Sequence, residues 1–360
     1  MSKLGNFKWK LYINYTVISI VTVVFGAMSI TGSLPYSTGN LLEKIAISII
    51  LATSLSMVVG FLGELSLGHA GFMCLGAYLG GKVSCLLEPI FGNGIISLLI
   101  SVVAGGLIAA VFGIIIGLPA LRLKGDYLAI VTLAFGEIIK NIINALYIGK
   151  DSKGFHFSTE SFLDLNLEAD GVMIINGPQG ITGTSKDSSF TIGIILVLIT
   201  FFIVLNLVQS RSGRAIMSIR DNSIAAESVG INLTKYKLMA FTISASLAGV
   251  AGVLFAHNLS TLVASPKNFG YNMSIMILVY VVLGGIGNMR GSMFAAILLY
   301  LLPELLRGLA DYRMLIYAIV LIVVMIFNWN PTCRELRKKY SLQNLIANIF
   351  KKNKDTKEVN

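Results

Sequence analysis

Apolar runs of about 18–25 residues recur along this chain, and they constrain its fold more than any other feature. A run of that length is what roughly 30 Å of hydrocarbon demands of a helix. The runs fall at 11–30, 45–62, 67–87, 94–118, 127–148, 190–208, 237–257, 273–289, 292–306 and 313–328. Hydrocarbon offers backbone groups no hydrogen-bond partner, so a spanning segment must satisfy its own. A β-barrel would do so with shorter, alternating segments. The pattern therefore predicts an all-α polytopic membrane protein of about ten transmembrane helices with one cytoplasmic helical element. Composition agrees: 13% of the 360 residues are charged and mean hydropathy is +0.79, against roughly 25% charged in a soluble domain.

Lysine and arginine placement sets the expected orientation. With both termini inside, the cytoplasmic segments collect Lys3, Lys8, Lys10, Arg122, Lys124, Arg211, Arg214, Arg220, Lys235, Lys237, Arg290 and the basic tail 331–360. The external loop 149–189 instead holds Asp151, Glu160, Asp164, Glu168, Asp170 and Asp187 against three lysines. The net charge of +10 is thus a topology signal, and no basic face for nucleic acid is implied. The whole chain reads as a single membrane domain with an N-terminal tail over 1–10. Cys74, Cys85 and Cys333 form no CxxC pair, so neither a disulfide framework nor a metal site is expected. Gly76–Lys82 has the glycine and lysine spacing of a phosphate loop, but Val83 stands where a hydroxyl would hold magnesium and no strand precedes it. No catalytic constellation and no cofactor site are expected.

Two hydrophilic stretches interrupt the apolar pattern. The external one contains GPQGITG at 177–183. The other, 209–236, mixes an intermittent apolar side with Arg214, Arg220, Asp221 and Glu227, which predicts a short amphipathic helix at the inner surface, on lipid or against a partner. Ser212 is the expected cap at its start, and Gly230 the stop.

Within the apolar runs, small residues mark where helices touch, because packing in lipid depends on close backbone approach. GELSLGHAGFMCLGAYLGG at 63–81 carries Gly71, Gly76 and Gly80 on one span, and SASLAGVAG at 244–252 and GGIGNMRG at 284–291, with Gly284 and Gly285, repeat the signature. His69, Thr132, Glu137 and Lys140 are the polar groups among them. Such groups usually face an interior, and Glu137 and Lys140 share one helix face. These residues are expected either to fix helix packing or to line a path.

Four stretches in order resemble the permeases of branched-chain amino acid ABC importers, of the LivM type: 63–81, LRLKGDYLAIVTLAFGEIIK (121–140), SRSGRAIMSIRDNSIAAESVGINLTKYKLMAFTISASLAGVAGVLFAH (210–257) and VLGGIGNMRGSMFAAILL (282–299). The resemblance covers roughly 45–327. It implies a permease of the bacterial plasma membrane without its own ATP site, paired with a LivH-type second permease, two cytoplasmic ATPase subunits and an external binding protein that delivers solute. It also implies that 210–230 couples to an ATPase. In the importer pattern Glu-Ala-Ala-x-x-x-Gly, Ala225, Ala226 and Gly230 fit, while Ile224 replaces the acid and Glu227 follows the alanines. The solute implied is a branched-chain or related hydrophobic amino acid. Urea, amides, sugars or nucleosides in the same superfamily, and an ion-coupled secondary transporter, are the alternatives.

Overall fold

A computed structural model describes residues 36–91, 94–123, 125–151, 154–160, 163–165, 171–182, 184, 188–259, 261–306 and 312–329. The predicted span 11–30 and both tails lie outside these residues. By internal packing the chain resolves into two units, divided after Leu298. The second contains the end of one helix and the helix Arg313–Trp329.

The first unit is built on α1 (Tyr36–Ser56), which runs into a π-helical turn, π1 (Met57–Leu62). A second broken helix follows: α2 (His69–Leu75), a π-helical turn π2 (Gly76–Gly80) and α3 (Gly81–Phe91). Then come α4 (Gly94–Ala120) and α5 (Asp126–Ala145). After a small sheet the chain returns through α6 (Phe190–Gln209), the short α7 (Arg211–Asp221) and α8 (Ser223–Ser228), and the long α9 (Leu233–Asn258). α10 (Pro266–Phe269), α11 (Tyr271–Gly284), α12 (Met289–Leu305) and α13 (Arg313–Trp329) complete the order. Among the described residues six helical stretches are long and apolar enough to cross a membrane: Gly39–Leu62, His69–Glu88, Gly94–Ala120, Asp126–Ala145, Phe190–Gln209 and Leu233–Asn258.

The expected bounds of the span at 273–289 are corrected. α11 stops at Gly284 because Gly285 (φ +94°) and Gly287 (φ +79°) take backbone conformations that no helix continues. Its 14 residues reach only about 21 Å. The all-α expectation is corrected as well, because the 149–189 region holds a three-stranded antiparallel sheet. Its strands β1 (Tyr147–Asp151), β2 (Gly154–Ser158) and β3 (Val172–Asn176) lie in the order β2-β1-β3. The predicted loop thus begins as strand two residues before 149. Within the GPQGITG stretch, β4 (Ile181–Thr182) pairs with β5 (Thr261–Leu262), tying the sheet region to the end of α9. Beside it, Glu43 of α1 accepts from Ser188 (2.9 Å) and from Asn258. That joins α1, the approach to α6 and the end of α9.

Small residues set the core, as expected, but the contact they make lies inside this chain. Gly76 sits on the backbone of Gly249, and Gly80 on Gly105, where an added Cβ would meet the Gly105 Cα at 3.0 Å. π2, α4 and α9 therefore meet backbone to backbone. Around the junction Met73, Ala77, Tyr78, Ala109, Ala245 and Ala248 are buried.

Gly76→Leu places a four-carbon side chain against the Gly249 backbone, beyond the flexible-side-chain overpacking that costs about 1–3 kcal/mol. The purified variant is expected to lose its cooperative thermal transition in detergent or shift it sharply down. Leu79→Ile, at a half-buried neighbour, should leave the midpoint within a few degrees. Fluorescence-detected size exclusion after a heating series reads both.

Candidate coupling junction

The 209–236 segment folds as a run of capped helices rather than a linker, with a side chain capping each helix start. Ser210 accepts from the Gly213 N–H at 3.1 Å and opens α7; the expectation that Ser212 does so is corrected. Asn222 accepts from the Ile224 and Ala225 N–H groups at 3.1 and 3.0 Å and opens α8. Asn232 accepts from the Lys235 N–H at 3.0 Å and opens α9. Such caps each contribute about 1 kcal/mol. The end of α8 is closed by Gly230, as expected. With φ +86° it donates to Glu227 O (2.9 Å), and Ile231 N–H reaches back to Ala226 O (3.1 Å). These are the two bonds of a glycine-ended helix stop.

α7 turns Gly213, Ala215, Ile216 and Ile219 inward and leaves Arg211, Arg214, Arg220 and Asp221 exposed. Arg214 donates to Gln209 O at 3.2 Å. In α8, Ala226 is 3% exposed and packs inside the chain, whereas Ile224 and Val229 are 80% and 76% exposed. Ala225, Glu227, Ser228 and Gly230 share that free surface. Two large apolar side chains thus stand clear of the chain at the tip, flanking an acid.

Arg220, although exposed, also reaches back toward the core. Its Nη1 donates to Gly60 O in π1 at 2.9 Å, and its Nε and Nη2 donate to Asp221 at 3.2 and 3.1 Å. Gly60 O is available because π1 ends on Gly63 (φ +80°). The Glu64 N–H, which would close an α-turn on Gly60, bonds Val58 O at 3.2 Å instead. Gly63 also lacks a side chain where Arg220 passes: a Cβ there would lie 2.5 Å from Arg220 Cγ. The turn after α11 arrives at the same place, since Gly60 packs on Gly287, whose N is 2.8 Å from where a Gly60 Cβ would be. Next to it Glu64 pairs with Lys237 of α9. The 209–236 segment, π1, the α11–α12 turn and α9 therefore converge at one junction. Gly284 and Gly285 belong to it: Gly284 packs on Gly291, and Gly285 opens the turn that Asn288 closes by donating its N–H to Gly285 O at 2.9 Å.

The remaining polar positions hold helices together. His69 is 1% exposed and lies 3.0 Å from Ser244 Oγ. Ser244 donates its proton to Ser54 O, so it accepts from His69, and the ring proton sits on Nε2. Thr132 accepts from the Leu67 N–H at 3.0 Å, and Ser274 accepts from the Ala70 N–H at 3.2 Å. The entry into α2 is thus tied to α5 through Leu67, and one of its first amides, which have no partner in the helix, is satisfied from α11 through Ala70. Gly71 meets Gly136 of α5 in the same contact, its added Cβ lying 2.6 Å from that Cα. Glu137 pairs with Lys140 and also accepts from the Tyr271 N–H at 2.7 Å, capping α11 across helices. The ion pair was legible from the spacing of the two residues. The partners Gly60, Gly63, Gly287, Ser244, Ser274 and Lys237 were not, because each acts across a long sequence separation; only Gly63, directly after an apolar run, carried a local signal, that of a helix stop.

Two substitutions check this geometry. Gly230→Val needs a β-branched residue at positive φ, where even unbranched residues cost roughly 1–2 kcal/mol, although a Cβ there meets nothing. Its proteolysis rate in 209–236 should rise, and Gly230→Asn should restore most of the resistance. Thr132→Val leaves the Leu67 N–H without its acceptor, a loss of about 1–3 kcal/mol, and should lower the thermal midpoint without opening 209–236 to protease.

Comparison with known proteins places these features. The family described as "Branched-chain amino acid transport system / permease component" matches residues 37–327. The high-affinity branched-chain amino acid transport system permease protein LivM of Salmonella typhimurium is 34% identical over 334 residues, covering 90% of this chain and 74% of that protein. LivM of Escherichia coli K12 is 37% identical over 295 residues, covering 79% and 67%. The permease protein LivH of Salmonella typhimurium is 26% identical over 257 residues, covering 69% and 78%.

Proposed function

Since this chain belongs to the branched-chain amino acid transport permease family, we propose that it is the LivM-type membrane subunit of an ATP-driven importer for branched-chain or related hydrophobic amino acids. What carries the reading is identity of 34–37% to two LivM proteins over most of the chain. The likeness to LivH is lower but extends over 69% of the chain. It supports a second permease of related fold as the partner in the membrane.

In this reading the chain does no chemistry of its own. Two ATPase subunits supply the work from the cytoplasm, and an external binding protein hands over the solute. The capped projection 209–236 supports ATPase docking: Ile224, Ala225, Glu227 and Val229 form its free tip, with Arg214 alongside. An apolar pair around an acid suits a groove on a soluble partner better than lipid. Ala226 and Gly230 then serve by shaping the tip. Asp221 acts by holding Arg220.

The path itself would run where small residues let helices approach and shift. Gly71, Gly76 and Gly80 with Thr132 form one tight seam, and Gly284 and Gly285 another. His69 and Glu137 brace these seams. Tight faces without interlocking side chains can occupy two packings, as alternating access requires. The lysine and arginine distribution puts the projection and both termini inside the cell and the small sheet outside. Together with the shorter helices α11, α12 and α13 and the 11–30 run, the six long helices make up the ten membrane segments of this reading.

Two experiments test it. In a background lacking native cysteines, Thr159→Cys on intact cells should react with an impermeant thiol reagent, and Ser228→Cys only after the cells are opened; the reverse pattern overturns the orientation. Cells lacking the gene should lose uptake of labelled leucine. That uptake should fail on ATP depletion and survive collapse of the proton gradient. Survival under ATP depletion would make the chain a secondary transporter, and unchanged leucine uptake with loss of another solute would reassign the cargo.

A further inference from the structure

The junction beneath the projection contains a feature that ATPase docking does not use: a guanidinium that joins Asp221 beside it to a backbone carbonyl of π1. Arg220 is exposed with the other charged residues of α7, yet its Nη1 reaches back to Gly60 O. That carbonyl is free because π1 ends on left-handed Gly63. π-helical turns hold one residue more than the α-helix around them, they are less stable, and they mark functional sites often. A π-turn also has an obvious second state, in which the extra residue is expelled and α1, which leads into it, rotates relative to the residues after Gly63. Here the expelled position would be felt at once, because α1 carries Ser54 O three residues before π1 and that carbonyl holds the Ser244–His69 chain to α9 and α2. On its other side π1 rests on Gly287 of the α11–α12 turn.

We propose that Arg220 is a positioning residue for transport: its bond to Gly60 O holds π1 in the wide form, and it is the link through which movement of the 209–236 projection reaches the transmembrane core. The inference rests on the reading of this projection as the ATPase-docking element. Displacing α7 draws the guanidinium from Gly60 O. The carbonyl must then find its partner within the helix, and π1 tightens. Asp221, which takes the other two donors of Arg220, keeps the side chain aimed during the movement. Arg220 makes no part of the free tip, so the role is separable from docking.

The test uses the full importer, with second permease, ATPases and binding protein, reconstituted in lipid nanodiscs. Co-purification of the ATPase with the unmodified complex comes first; its absence would sink the docking reading itself. Given co-purification, Arg220→Gln should keep the ATPase bound and keep hydrolysis without solute near the unmodified rate. Stimulation by leucine-loaded binding protein should drop about tenfold or more, the factor expected for losing a hydrogen bond to a charged group. Amide exchange over 57–63 should change in the same variant, a readout that a loose docking contact would not move. Gly63→Ala, whose methyl collides with Arg220 Cγ while leaving the charge in place, should reproduce the uncoupling. Full stimulation in either variant overturns the proposal, as does loss of ATPase binding in Arg220→Gln. Failure of both variants to insert would make the contact a folding requirement and overturn it equally.

Discussion

The structure depends on backbone meeting backbone at Gly76, Gly249, Gly80 and Gly105. Lipid gives apolar side chains no reason to prefer one another over acyl chains, so helix association has to come from close packing and from polar groups with nowhere else to go. At this junction even a methyl group would not fit. The three elements it joins are also those that carry the rest: π2 continues into α3, α4 leads to α5, and α9 returns from the projection and ends at the β4–β5 clasp.

Polar groups do the complementary work. Three hydrogen bonds to side chains around α2 run between elements far apart in sequence: His69 to Ser244, Leu67 to Thr132, Ala70 to Ser274. In a medium without water each such bond is satisfied by one partner or by none. The network therefore specifies which packing of the glycine faces is adopted. Small residues allow several arrangements; the hydroxyls choose among them. A core of this kind can switch between discrete states while remaining closed to lipid.

Much of this was legible in the sequence. The six long helices coincide with apolar runs, Gly230 stops α8, and the Glu137–Lys140 pair follows from i,i+3 spacing. The failures have physical reasons. The 273–289 run looked continuous because Gly285 and Gly287 are apolar by composition, and only their left-handed backbone reveals the break. The sheet at 147–176 was hidden by a polar, glycine-containing sequence whose strands are five residues each. Ala226 fitted a docking motif, but the face of α8 that carries it turned out to be the one packed inward. Arg220 looked like one charge among several, and its partner, a bare carbonyl on a π-turn, has no signature in sequence. Backbone geometry decided each of these cases, and side-chain pattern reads backbone only indirectly.

In the proposed reading, 209–236 has an inward face that senses the core and an outward tip that an ATPase grips. A photo-reactive side chain introduced in turn at Ile224, Val229 and Ala226, followed by illumination of intact cells, separates the two faces most directly. The account predicts covalent adducts with the ATPase subunit from positions 224 and 229 and none from 226. Adducts from 226 alone, or lipid adducts from 224 and 229 with no ATPase captured, would contradict it.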